Sequence, residues 1–186
     1  MPVWCRVFSA GMLLVAAMLP CALDAQTSPY TPYQHKALYL FNFAKYTEWP
    51  RTAFKDEISP FVMGILGDDP FGASIDIIRG KTLKGRKLVV KNYRSIEEVK
   101  DCHLLFICCS ETNNLEHILR SLENTSTLTI AEADGFIEHQ GMINLVTEQK
   151  TAGSQVVSFD INKAAAEKAN LKLDTQLLKL ARRTKS

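Results

Sequence analysis

The residues best equipped for chemistry gather in a few places. Gly67-Asp68-Asp69-Pro70-Phe71-Gly72 sets two adjacent carboxylates between a predicted strand and a predicted helix. In open α/β sheets, ligands sit beyond the carboxyl ends of strands. Asp68 and Asp69 are therefore the candidate ligand-binding residues, suited to a cation or a polar ligand. Asp-Pro is equally ordinary turn and helix-start chemistry. The loop is no glycine-rich phosphate motif, and its paired carboxylates would repel phosphate. His35, His103, His117 and His139 lack metal-ligand spacing, so no metal is expected. Ser110, Ser154 and Ser158 lack a nucleophile elbow. Glu132 and Asp134 flank Gly135 and form either an acid–base pair or a solvated turn. Nothing here assembles into a catalytic constellation, so no catalytic residue, no cofactor and no enzyme activity are expected.

Residues 1–25 read as a secretory signal peptide, with Arg6 in the charged lead and an apolar run over residues 11–19, too short to span a bilayer comfortably. Pro20 breaks that run, and Ala25 offers a small residue before a cut at Gln26. Cys21 raises the question of a lipid anchor, but Pro20 beside it is poorly suited to that cleavage. The expected product is an exported single domain over residues 26–186, not itself membrane-spanning and placed in the bacterial periplasm. Three cysteines remain after such a cut: Cys102, Cys108 and Cys109. On a straight strand Cys102 and Cys108 stand roughly 20 Å apart, beyond disulfide reach. Either the chain folds back near Cys109 or these are free thiols on a core strand.

The stretch over residues 33–50, YQHKALYLFNFAKYTEWP, is more apolar than a surface helix requires. At about 100° per residue, Ala37, Leu40, Phe41 and Ala44 form one stripe, and Tyr39, Phe43 and Tyr46 a second one nearly opposite. A helix on a sheet needs one apolar stripe. The second is either covered by the C-terminal helices or faces a partner, where aromatic anchors concentrate. Tyr39, Phe43, Tyr46 and Trp49 are the candidate partner-binding residues.

Around these sites, a helix over residues 33–49 is followed by six apolar runs of strand type at 61–66, 87–93, 104–109, 127–131, 142–147 and 155–161. Helical segments at 71–78, 95–99 and 113–122 separate the first four, with Ser95 read as a cap. Helices at 162–169 and 174–183, led by Asn162 and Asp174, close the chain. This order predicts an α/β class, single-domain layered fold: a mixed, mostly parallel sheet of about six strands with helices on both faces. The last two strands, joined by a short loop containing Gly153, should be antiparallel. Asn170 falls where a left-handed helix cap is expected. The formal net charge of +2 and the lack of a basic stripe argue against nucleic acid. Lys179, Arg182, Arg183 and Lys185 read as cations at the end of the last helix.

Five segments in order carry a family resemblance: the opening A-L-Y-L-F-N-F-A-K-Y-T-E-W-P from Ala37, G-I-L-G-D-D-P-F-G from Gly64, G-K-T-L-K-G-R from Gly80, C-H-L-L-F-I from Cys102, and V-S-F-D-I-N-K-A-A from Val157 with Leu171-Lys-Leu173. From about residue 33 to 182 the chain resembles the YfiR-type family of bacterial periplasmic regulatory proteins. The resemblance implies a repressor that binds the periplasmic region of an inner-membrane diguanylate cyclase or a related sensor kinase, and so restrains cyclic-di-GMP production and biofilm formation. It also implies a homodimer and redox-sensitive disulfides, although three cysteines cannot form two internal bridges. The alternative expectation is a periplasmic small-molecule-binding sensor domain.

Overall fold

The structure, a computed structural model, describes residues 30–149 and 155–186. The expected signal peptide over residues 1–25 and the loop at Gly153 lie outside the described residues.

Helix α1 (Pro32–Lys45) starts at a complete capping box: Gln34 N donates to Thr31 Oγ1, and Thr31 N donates to Gln34 Oε1. Two of the amides that a helix start leaves unpaired are thereby satisfied. Pro32 adds a backbone angle already set for a first turn. The helix stops at Lys45, short of the expected residue 49, because Thr47 and Glu48 leave it to form strand β1 (Thr47–Glu48). Its antiparallel partner is a short strand from the far end of the chain. The Thr47 hydroxyl turns back to donate to Phe43 O at 2.7 Å. Tertiary pairing here overrides the weak prior of helix propensity.

The elements that follow are β2 (Phe61–Leu66), β3 (Thr82–Leu83), β4 (Arg86–Tyr93), β5 (Leu104–Ile107), α2 (Leu115–Ser121), β6 (Leu128–Ala131), β7 (Ile143–Gln149), β8 (Gln155–Asn162), α3 (Lys163–Lys168), β9 (Lys172–Leu173), α4 (Thr175–Leu180) and β10 (Arg183–Lys185). The main sheet runs β10-β8-β7-β6-β5-β2-β4-β3, and β9 pairs with β1 apart from it. Strands β4, β2, β5, β6 and β7 are mutually parallel in the order 2-1-3-4-5 of a doubly wound sheet. β7 and β8 are antiparallel, as expected from their short connection. The sheet has eight strands rather than about six, the additions being the short edge strands β3 and β10.

Each face of the sheet buries its own core. Phe61, Met63 and Ile65 of β2, with Leu104 and Phe106 of β5, point toward α1, α3 and α4. Leu66, Leu105 and Ile107 point the other way, toward Leu115 and Ile118 of α2. The period-2 alternation of β-strands sends neighbouring residues to opposite layers, so a continuously apolar strand fills both.

Three local expectations are corrected. The segments after β2 and β4 are short 3₁₀ turns, Gly72–Ile77 and Ile96–Glu98, and Ser95 makes no side-chain cap bond. The last helix ends at Leu180, so Arg182, Arg183 and Lys185 are not cations on a helix terminus: Arg183 and Lys185 lie in β10, which pairs in parallel with β8. Asn162 and Asp174 do cap their helices, and Asn170 is left-handed at φ 59°.

Candidate binding site around Trp49

The aromatic residues of α1 do not form one surface. Phe43 is 1 % exposed and packs edge-on against Phe159 at 4.9 Å, so it is a core residue. Tyr39 is half-buried and its hydroxyl donates to Val157 O at 3.0 Å, capping an outward carbonyl of β8. Tyr46 is half-buried at the helix end with the Lys45 ammonium 5.6 Å from its ring. Strand β8 covers Tyr39 and Phe43 of the second stripe, and leaves Tyr46 at its end. Trp49 has swung away with the chain that left the helix.

Asp68 and Asp69 sit where β2 and β5 diverge. Asp69 uses both oxygens to close its own turn: Oδ1 accepts from Phe71 N at 2.8 Å and Oδ2 from Asn92 Nδ2 at 2.9 Å. Asp68 N donates to Ser110 Oγ at 3.0 Å. Gly67 is obligatory here, with φ 93° and Ser110 Oγ 2.4 Å from where a Cβ would stand. A cleft of about 280 Å³ lies at the opposite end of the sheet, between Leu119, Leu122, Met142 and Ala169. Among the described residues, no group of three His, Cys, Asp or Glu side chains could hold a metal ion.

Among the described residues three cysteines are free thiols: Cys102 and Cys108 are buried, Cys109 is exposed. Burial, with Asp69 and Cys109 adding to it, pushes the Cys108 thiol up to about 12, and burial raises Cys102 to about 12 as well. Both are poor thiolates and behave as small core residues. Glu132, far from a solvated acid–base pair, accepts from Lys36 Nζ at 2.6 Å and from Thr147 Oγ1 at 2.5 Å.

A concavity walled by aromatic side chains lies at the N-terminal ends of the parallel strands. Trp49 Nε1 donates to His103 O at 3.2 Å and Ser126 O at 2.9 Å, tying the segment after α1 to the starts of β5 and β6. Its ring stands edge-on to Phe61 at 4.9 Å. His103 stacks between Phe54 at 4.4 Å and Phe61 at 5.1 Å. Its Nδ1 accepts from Val62 N and its Nε2 donates to Ala53 O, both at 3.0 Å, which fixes the neutral tautomer. Burial is the main reason its pKa lies below the usual value. Above Phe54 lies the Arg86 guanidinium, 3.9 Å from the ring centroid. Lys84 Nζ reaches across to donate to Thr47 O. Together Trp49, Phe54, Phe61, Leu83, Lys84, Arg86 and Glu48 enclose a cleft of about 230 Å³. A second cleft, of about 510 Å³, shares Glu48 and Trp49 and continues to Glu167 and Lys172. The sequence pointed to Trp49 but not to Phe54, Lys84, Arg86 or His103. The available signal was Lys84-Gly85, a two-residue turn between β3 and β4.

Fold and site together define a doubly wound α/β domain with an aromatic, cation-rimmed cleft at the bottom of its sheet. The chain belongs to the YfiR/HmsC-like family, whose pattern it matches over residues 33–182. No curated protein is similar to it in sequence. Two solved structures share the fold. One is a conserved domain protein from Vibrio cholerae, with TM-score 0.52 and 14 % identity over 83 % of this chain. The other is an ABC domain from Streptococcus pneumonia in complex with L-Trp, with TM-score 0.51 and 13 % identity over 82 % of this chain. The chain spans 60 % of the length of each. Among the described residues, no helix is long and apolar enough to cross a membrane.

Proposed function

We propose that this chain is a periplasmic regulator that binds the periplasmic region of an inner-membrane diguanylate cyclase, or of a related sensor kinase, and holds it in its less active state. The observation that carries this reading is the family match across nearly the whole domain. The leader over residues 1–25 supports export. The regulator makes and breaks no bonds itself. It shifts a two-state equilibrium in its partner, by as much as its affinities for the two states differ. It works as a homodimer.

The partner contact is assigned to the accessible part of the predicted aromatic set, Tyr46 and Trp49 with the exposed Glu48 beside them. Phe43 is excluded by its burial. The test is capture of the purified periplasmic region of the membrane partner by the exported chain. Tyr46→Asp should weaken capture while the thermal midpoint holds. Undiminished capture by a folded Tyr46→Asp chain overturns this choice of surface.

A second reading, a small-molecule sensor, is favoured by the clefts flanking Trp49 rather than by Asp69, whose oxygens are already engaged.

A further inference from the structure

The cleft beside Trp49 has three properties that point to one ligand chemistry. Its walls are the side chains of Trp49, Phe54, Phe61 and Leu83. Its volume of about 230 Å³ falls below the roughly 300 Å³ at which drug-sized sites begin, which limits it to a ligand of about one ring. Its rim carries two cations and one carboxylate, Glu48, on the stretch shared with the neighbouring cleft.

Neither cation is in an ion pair among the described residues. Among the described residues, the Arg86 guanidinium gives its hydrogen bonds through Nη1, to Asp56 O, Ser59 O and Ser59 Oγ. The edge formed by Nε and Nη2 is left over, and that edge matches a carboxylate with two parallel hydrogen bonds. Lys84 donates to a single backbone carbonyl, that of Thr47. It is held at φ 48° in a turn where Gly85 also has positive φ, at 82°. Such a turn favours Asn-Gly. A lysine there is strained, and strain of this kind gathers at ligand clamps.

We propose that this cleft binds a small planar aromatic carboxylate, its ring packed among Trp49, Phe54 and Phe61 and its carboxylate gripped by Arg86 and Lys84. The site stands independently of which membrane protein the chain regulates.

The experiment uses the full chain carrying Trp4→Phe, so that Trp49 is the sole tryptophan whether or not the leader over residues 1–25 is removed. Its fluorescence is titrated with benzoate, with benzamide as the uncharged ring and acetate as the ringless anion. Benzoate should give a saturable change, and both controls should bind at least about tenfold more weakly, the worth of one charge-assisted contact. Lys84→Asn relieves the strained turn, so it should raise the thermal midpoint while weakening benzoate several-fold. Arg86→Lys keeps a charge over Phe54 but loses the fork, and should weaken benzoate about tenfold. The proposal is overturned by no saturable benzoate response, by benzamide binding as well as benzoate, or by undiminished binding in Lys84→Asn. If Arg86→Lys does not fold, Lys84→Asn decides.

Discussion

Arg182 grips both carboxylate oxygens of Asp160, with Nε 2.9 Å from Oδ1 and Nη2 2.7 Å from Oδ2. The Asp160 side chain is 2 % exposed, and Arg183 adds a longer contact at 3.4 Å. Hydrogen bonding from Arg182 is the largest cause of an Asp160 pKa below the carboxylate range. This pair fastens the C-terminal strand β10 to β8. Arg182→Ala leaves the buried Asp160 carboxylate with only the longer Arg183 contact and should destabilise the fold, read as a lower denaturation midpoint in guanidinium. A change below about 0.5 kcal/mol would mean that Arg183 alone suffices. Because the folded pKa is depressed, the pair's stabilisation is complete above about pH 4 and is lost as pH falls through the folded value. The variant should therefore show a flatter acid limb.

His103 sets the pH dependence near neutrality. Its neutral form accepts from Val62 N, and a proton on Nδ1 would break that bond. Burial depresses its pKa in the fold. The unfolded chain therefore takes up the proton first, so stability is complete above about pH 6.5 and falls as pH drops below that value. Thermal midpoints between pH 7.5 and 5 should decline, and His103→Phe should flatten that part of the curve. Equal slopes in the two proteins would remove His103 from the account.

Thiol accessibility follows the layers of the sheet. Cys109 is exposed, while Cys102 and Cys108 face opposite cores. Native alkylation with iodoacetamide followed by mass spectrometry should label Cys109 and spare Cys102 and Cys108 until denaturant is added. Native labelling of Cys102 would show that the face beneath α2 opens readily.

The packing around Gly64 allows no side chain. A Cβ there would stand 2.7 Å from the Tyr93 ring, 2.8 Å from Leu105 Cδ1 and 2.9 Å from Cys102 Sγ. Gly64→Ala should destabilise by about 1–3 kcal/mol through overpacking. The Tyr93 hydroxyl, buried there with no hydrogen-bond partner among the described residues, has its pKa raised to about 12 by burial. Tyr93→Phe removes the orphaned group and should leave stability unchanged or raise it by about 1 kcal/mol.

Much of the architecture could be read from local signals. Phe61–Leu66 is bounded in the structure as in the sequence reading, because an apolar run between Pro60 and a Gly-Asp-Asp-Pro turn has few alternatives. The caps Asn162 and Asp174 and the left-handed Asn170 were legible for the same reason. What escaped depends on partners far along the chain. Thr47 and Glu48 read as helix until Leu173 and Lys172 are beside them. Arg183 reads as the end of the last helix until β8 supplies a strand edge. Phe43 was placed on the correct stripe, but only β8 decides that this stripe is core. The Trp49 cleft joins residues from four separate stretches, and no local spacing announces such a site.

Repression of a membrane cyclase is read directly from cyclic-di-GMP in cells that lack this chain, with and without the cyclase it is proposed to restrain. Removing the chain should raise the level severalfold, a rise abolished when the cyclase is also removed and reversed by supplying the exported chain. An unchanged level, or a rise that persists without any membrane cyclase, would contradict that repression.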